Sequence, residues 1–510
     1  MRQTALGHGP EPRPLPGGAF GPIFGPMERS FPSLIIRAGE LVPKGAFAES
    51  QAEFLRPDAG AVATLSAQLR EKNVGVVAHF YMDPELQGVL SACEWPHIHV
   101  SDSLAMADRA IAMAEAGVRT IVVLGVDFMS ENVRAMLDAA GFEDVPVYRV
   151  ATEPIGCSLA ESAEALAYGA WLTRASKQPR SLHIVYINTS LITKARAHAI
   201  VPTITCTSSN VVQTILQAAA QIPDVHVWYG PDTYMGRNLR ELFEGMARMD
   251  DARIAEVHPE HDRASLRSLL GRFWFFEQGI CIVHHMFGAD VAKRVREELP
   301  DVYVTAHLEV PGEMFEVALE KQQRGEGVVG STSNILDFIR AKVSEAAEER
   351  RARRLSFVLG TEAGMITSIV RSVQKTLFDH PELEVEIIFP VASEAIAHTP
   401  DQELAIVPGV AGGEGCSTAG GCATCPYMKM NSLDALLSLL RRIDVVPGAT
   451  LAVYEPKQYT ELVTGRTAAD LGGEPILHMR DFQRSGRLPD TLVQDVVTRA
   501  PPGEQQRARR

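Results

Sequence analysis

Several things are missing from this chain, and each absence removes a class of function. No apolar run reaches the roughly 18 residues that a membrane-crossing helix needs. Net positive charge is absent: the formal charge is −14, so the whole chain offers no electrostatic footprint for nucleic acid. The first residues, MRQTALGHGPEPRPLPGGAFGP, hold no apolar core of a secretory signal and no Ser-rich, Arg-rich amphipathic pattern of a transit peptide. Cysteines are few, seven in 510 residues, and widely spread. That spacing favours thiols that bind metal or catalyse, in a reducing compartment, over a disulfide framework. What remains is ordinary for a globular protein: 46% hydrophobic and 22% charged residues. At roughly 150 residues per domain the length suggests about three domains and tails.

Three short signatures recur in the same order. The first is an apolar strand ending on a polar aromatic or histidine: VGVVAHFYMDPEL at His79, LHIVYINTSLITKA at Tyr186, VYVTAHLEVPGEM at His307. The second is a strand, a Ser/Thr loop and a helical pattern: IHVSDSLAMADRAI at Ser103, TITCTSSNVVQTIL at Ser208, VVGSTSNILDFI at Thr332. The third is a strand, a glycine and another helix, at Gly125, Gly230 and Gly360. First and second signatures are 24, 22 and 25 residues apart (His79 to Ser103, Tyr186 to Ser208, His307 to Thr332). Val/Ile-rich runs alternating with helical patterns indicate parallel βα units. The fold class expected is therefore α/β: three similar αβα domains with parallel sheets, their ligand loops at the carboxyl ends of the strands. The boundaries expected are a flexible Pro/Gly-rich extension over 1–60, repeats over 61–157, 158–281 and 282–430, a C-terminal segment over 431–498 packing on the first repeat, and a disordered basic tail over 499–510. Met249 to Ser268 and Ser344 to Arg354 read as an insertion and a solvated helix face.

After its third signature each repeat reaches a cysteine beside a helical pattern: Cys157 in EPIGCSLAESAEAL, Cys281 in EQGICIVHHMFGADV, Cys425 in CATCPYMKMNSLDALL. A pseudo-threefold arrangement brings these thiols together, and three thiolates suit a soft metal site. A [4Fe–4S] cluster on three cysteines leaves one iron open as a Lewis acid. Ordinary buried cysteines and a zinc site are the alternatives. Zinc usually announces itself by paired CxxC motifs, and only Cys422 and Cys425 have that spacing.

The stretches AHFYMDPELQ, VSDSLAMA, GVDFMSENV, GCSLAE, VYINTS, TCTSSN, PDTYMGRN, GICIVHH, AHLEVPGE, GSTSN, GTEAGM and CPYMKMN resemble the quinolinate synthase family, in family order from about Gly75 to Asn431. GVAGGEGC, GGCATCPYMKMNSLDALL and GEPILHMRDFQ resemble its plant-type branch. Plant members add an N-terminal sulfur-transfer domain, for which the leading 60 or so residues are too short. The resemblance implies three αβα domains in pseudo-threefold symmetry, a [4Fe–4S] cluster on Cys157, Cys281 and Cys425, and condensation of iminoaspartate with dihydroxyacetone phosphate to quinolinate in NAD biosynthesis. It implies an aspartate-oxidising enzyme as the source of iminoaspartate, and it is compatible with a homodimer. Cytoplasmic placement is expected, with a plastid as the alternative.

The substrates are anions, and Ser/Thr loops at helix starts supply hydroxyls and free N–H groups for them. Ser103, Ser208, Ser209 and Thr332 form that set, with simple N-capping as the bland reading. The resemblance makes His79 and Tyr81 substrate-contacting, with Tyr81 transferring protons, and gives Tyr186 and Asn188 a substrate-holding role. Alternation along a strand puts His307 and Glu309 on one face, with Glu309 as general base and His307 binding substrate. Relatives often have Pro where this chain has Leu308. His284, three residues beyond Cys281, is a substrate ligand or a local packing group. Cys416 and Cys422 are loop thiols or a redox-regulatory pair. A diphthamide-type enzyme that cleaves S-adenosylmethionine and a non-enzymatic cluster carrier are the competing functions. AHFY, TCTSSN and the His307/Glu309 pair match the synthase, and a carrier needs no triplicated anion loops.

Overall fold

The computed structural model describes residues 31–349, 352–390 and 424–499. Among the described residues, fourteen strands build the three main sheets and two short ones, Leu462–Val463 and Arg466–Thr467, form a separate pair. Strands β1 (Ser33–Ile36) and β2 (Leu41–Lys44) come first, then β3 (Val74–His79), β4 (Ile98–Ser101), β5 (Thr120–Leu124) and β6 (Val147–Arg149). The second group is β7 (Ser181–Tyr186), β8 (Thr203–Cys206), β9 (His226–Gly230) and β10 (Phe273–Phe275). The third is β11 (Tyr303–His307), β12 (Gly327–Gly330), β13 (Arg353–Gly360) and β14 (Leu383–Ile388).

The spatial orders are β4-β3-β5-β6, β10-β9-β7-β8 and β12-β11-β13-β14-β1-β2. Written by position within its group, each sheet has the order second, first, third, fourth, and all pairings within a group are parallel. Register repeats as well. The last residue of each first strand faces the last of the second: His79 with Ser101, Tyr186 with Cys206, His307 with Gly330. The residue before it faces the end of the third strand: Ala78 with Leu124, Val185 with Gly230, Ala306 with Gly360. His79, Tyr186 and His307 are thus equivalent positions, each beside the crevice where strand order reverses, which is where open α/β sheets bind ligands. The first strands are buried along almost their whole length, as parallel strands covered on both faces must be.

Three expectations need correction. Residues 33–54 are not a loose arm: β1 and β2 form an antiparallel hairpin on the edge of the third sheet, with Leu34 paired to Ile387, and the helix Ala46–Phe54 follows. SLII is buried along all four residues, and an isolated hairpin could not bury it alone. Residues 1–30 of that extension lie outside the described residues. The C-terminal segment does not pack only on the first repeat. Its helix Leu433–Arg442 does, placing Leu436, Leu439 and Leu440 in one core with Leu65 and Leu69. The longer helix Ala468–Ser485 lies on the second repeat, against the helix Leu191–Ile200 and β8. Gly472 permits that approach, since a Cβ there would sit 2.3 Å from the Leu191 carbonyl oxygen. Finally, Ser344–Arg354 is not wholly a solvated face: Ala346 and Ala347 are buried, and Arg353 and Arg354 begin β13. Of the tail, only Arg499 is described, and its guanidinium donates to the His198 carbonyl at 2.7 Å.

Candidate active site

The carboxyl ends of all three sheets open on one cavity. His79 and Tyr81, Tyr186 and Asn188, and His307 and Glu309 line it from the ends of β3, β7 and β11. Asp102 and Ser103, Thr207 and Ser208, and Thr332 line it from the loops after β4, β8 and β12. Cys157, Cys281 and Cys425 line it from segments after the fourth strands. The cavity therefore takes the same structural positions from each repeat.

The first and third repeats share a local device. Tyr81 N–H donates to His79 Nδ1 at 3.2 Å, and Glu309 N–H donates to His307 Nδ1 at 3.3 Å. Glu309 thus follows a tight turn after the strand, and the turn rather than strand alternation aims it inward. Each imidazole accepts a hydrogen bond at Nδ1, so its Nε2 carries the hydrogen, a tautomer assigned from its partners. Burial lowers both imidazoles, His79 to about 4 and His307 to about 3, so both are neutral donors near pH 7. His307 Nε2 lies 3.1 Å from the Ser208 hydroxyl.

Glu309 is the negative centre. Burial alone would raise its carboxyl, but His284, then His307 and the Tyr186 hydroxyl, draw it down to about 2. His284 Nδ1 is 2.9 Å from Oε2, and the Tyr186 hydroxyl donates to Oε1. Burial first, then Glu309, raises the Tyr81 and Tyr186 phenols well above their ordinary range, so both keep their protons. His284 itself does not line the cavity. It is fully buried behind Glu309, stacked on His307 with centroids 4.7 Å apart. Of the two roles expected for His284, substrate ligand or local packing group, the contact observed is the local one, with Glu309. Ser209 is likewise not a lining residue. Thr207 N–H donates to Asn210 Oδ1 at 2.8 Å, and the resulting turn leaves Ser209 exposed.

Sequence reasoning missed Thr207, whose hydroxyl is buried without a protein partner and borders the cavity. The Thr before the Ser-Ser pair was the available signal. It missed Lys194 too, a buried amine that holds the Tyr186–Asn188 turn from behind by donating to the carbonyls of Ile187, at 3.2 Å, and Thr189. Thr361 and Glu362 were also missed.

The cysteines sit in matching turns. Glu161 N–H bonds to the Cys157 carbonyl, His285 N–H to that of Cys281, and Lys429 N–H to that of Cys425, at 2.9, 3.0 and 3.4 Å. Amide N–H groups then point at the sulfurs: Ala160 and Leu159 at Cys157, His284 at Cys281, Met428 and Tyr427 at Cys425. Each residue is partly accessible, yet burial of its thiol pushes Cys157 up to about 11, Cys425 up to about 12 and Cys281 well above the ordinary thiol value. Such thiols are neutral unless a cation offsets the burial, and a bound metal does so. Three soft donors with N–H groups aimed at sulfur, and a cavity beside them, fit an iron–sulfur cluster with three protein ligands. Cys281, His284 and Glu309 also bring ligand atoms within 4.8 Å of one another. There, however, His284 and Glu309 already bind each other, which leaves the three-cysteine set as the better metal site. Cys416 and Cys422 lie outside the described residues.

A family model described as "Quinolinate synthetase A protein" matches residues 63–454. "Quinolinate synthase, chloroplastic" of Nicotiana tabacum is 55% identical over 490 residues, 93% of this chain and 68% of that protein. The Arabidopsis thaliana protein of the same name is 54% identical, with the same coverage. "Quinolinate synthase" of Prochlorococcus marinus (strain MIT 9313) is 25% identical over 375 residues, 73% of this chain and 81% of that protein. The chloroplastic names give no support to the expected cytoplasmic placement. No helix among the described residues is long and apolar enough to cross a membrane.

Proposed function

The chain belongs to the quinolinate synthetase A family, iron–sulfur-dependent enzymes of NAD biosynthesis, and from that premise we propose that this cavity condenses iminoaspartate with dihydroxyacetone phosphate to quinolinate, with loss of phosphate and water. One observation carries the reading. Three repeat-equivalent cysteines and three repeat-equivalent strand ends border one cavity.

Cys157, Cys281 and Cys425 would hold a [4Fe–4S] cluster. When bound, it supplies a Lewis acid at the one iron that lacks a protein ligand. The chain's own groups do the rest. Among the described residues no Lys or Arg lines the cavity, so the substrates' carboxylates and phosphate meet neutral donors there. These are the Nε2–H of His79, the hydroxyls of Ser103, Thr207, Ser208 and Thr332, the Asn188 amide, and backbone N–H groups at helix starts. Ser208 accepts from His307 and so directs its own hydrogen toward a ligand.

Glu309 is ionised in the free protein, the protonation state a base needs. A carboxyl near 2 is a weak base, but anionic substrates entering beside it raise its pKa. Tyr186 then returns or relays the proton through its bond to Oε1. Tyr81, from the turn after β3, serves the second proton position. His284 orients Glu309 and touches no substrate.

The family match gives the S-adenosylmethionine-cleaving alternative no support. The plant relatives' names favour a plastid location. An aspartate-oxidising enzyme supplies the unstable imine, and two chains assemble as a homodimer. The test is anaerobic incubation with both substrates and chromatographic assay for quinolinate. The reading requires product only when both are present. Absence of quinolinate from protein with full iron and sulfide content would overturn it.

A further inference from the structure

We infer that the adjacent residues Thr361 and Glu362 form a positioning joint, in which Thr361 aligns Tyr81 and His284 while Glu362 fixes the backbone of Cys425. The inference rests on the function proposed above and adds two residues to it.

Strand β13 ends at Gly360, packed so closely on β11 that a Cβ there would lie 2.3 Å from the Thr305 carbonyl oxygen. The next two residues are delivered behind the cavity, where Thr361 is 1% and Glu362 0% exposed. The Thr361 hydroxyl lies 3.0 Å from the Tyr81 hydroxyl and 3.4 Å from His284 Nε2. Tyr81 comes from the end of the first repeat's leading strand, His284 from the turn after Cys281, and Thr361 from the third repeat. One hydroxyl therefore joins groups from three separate parts of the chain.

The polarity of this contact is set by its neighbours. With the His284 tautomer assigned from its partners, so that Nδ1–H faces the Glu309 carboxylate, Nε2 presents its lone pair to Thr361. Thr361 donates to Nε2 and accepts from Tyr81, using one donor and one lone pair. The chain of donors then runs from Tyr81 through Thr361 and His284 to Glu309. Removing the middle hydroxyl leaves both ends in place but unaligned.

Glu362 acts on the other side. Its Oε1 accepts the Cys425 N–H at 3.1 Å, and its Oε2 accepts the Gly364 N–H at 2.7 Å. Gly364 lets the two segments meet, since a Cβ there would sit 2.6 Å from the Phe80 carbonyl oxygen. Holding the Cys425 amide fixes that residue's backbone and hence the direction of its thiol. Groups that orient a metal ligand in this way typically change affinity or activity by about 10–100-fold when removed.

The experiment uses the whole chain, reconstituted anaerobically. Thr361→Val keeps the shape and removes the hydroxyl, and Thr361→Ser restores it. Thr361→Val should lower kcat by about 10–100-fold with KM and iron content near wild type, and Thr361→Ser should recover most of the loss. Glu362→Gln keeps the volume but turns one acceptor into a donor facing an N–H. Iron should then be lost to a chelator about tenfold faster or more, with an altered electron paramagnetic resonance spectrum of the reduced cluster. The joint is refuted by wild-type kcat in Thr361→Val, by a Thr361→Ser variant no better than Thr361→Val, or by unchanged iron release and spectrum in Glu362→Gln. If wild type with full iron makes no quinolinate, the proposed function fails instead, and the Glu362 half is judged by iron release alone.

Discussion

His284 Nδ1 lies 2.9 Å from Glu309 Oε2, a contact between a turn beside one cysteine and the end of a strand in the following repeat. It holds the carboxylate ionised and turned so that Oε1 meets Tyr186. Glu309→Gln keeps the volume but removes the charge and the basic oxygen. Loss of a general base typically costs about 10²–10⁴ in rate, so kcat should fall in that range while iron content stays at the wild-type level. Steady-state kinetics with iron analysis on the same sample measures both. Near wild-type turnover would remove Glu309 from proton transfer.

Gly472 sets how closely the helix Ala468–Ser485 lies on the substrate turn. A methyl group there meets the Leu191 carbonyl oxygen at 2.3 Å, which is backbone and cannot swing away. Overpacking of this kind costs about 1–3 kcal/mol. Gly472→Ala should lower the denaturant midpoint. It should also raise KM more than it lowers kcat, because Leu191 closely follows Asn188. Unchanged stability would show that the helix floats.

The same helix carries a pH-sensitive contact. Glu474 is drawn down to about 2, first by its hydrogen bond with His198 and then by Arg466, at 3.3 and 2.7 Å. A depressed carboxyl contributes stability above its ordinary value of 4.5 and loses it as pH falls toward 2. The site is partly exposed, so screening leaves about 0.5–1 kcal/mol. Glu474→Gln should be less stable than wild type at pH 7, and the gap should close between about pH 4.5 and 2. Denaturant titrations of both proteins across that range decide it; a constant gap would contradict the assignment.

The strand-end and loop residues were legible because each repeat writes them at matching offsets, and matching register then places them on one cavity. The cysteines were legible for the same reason. What escaped depends on contacts that leave no local pattern. The β1–β2 hairpin pairs with β14 about 350 residues away, so nothing near Ser33 announces its partner. Glu362 has acidic counterparts two residues after Gly125 and Gly230, in Asp127 and Asp232, but Thr361 has only Val126 and Pro231 at its position. The partners of Thr361 and Glu362, namely Tyr81, His284 and Cys425, lie far apart in the chain. Ser209 was misplaced by one step because Asn210 folds back on Thr207, and a single residue's rotation in a turn decides which side chain faces inward.

The central claim is that Cys157, Cys281 and Cys425 together hold an iron–sulfur cluster beside the cavity. Iron and acid-labile sulfide per chain, measured after anaerobic reconstitution of wild type and of single variants at the five described cysteines, tests it most directly. Wild type should hold about four of each. Cys157→Ser, Cys281→Ser and Cys425→Ser should each lose most of both, since a hard hydroxyl replaces a soft thiolate. Cys93→Ala and Cys206→Ala should keep them. Zinc without sulfide in wild type, or a Cys157→Ser protein with full iron and sulfide, would contradict the account.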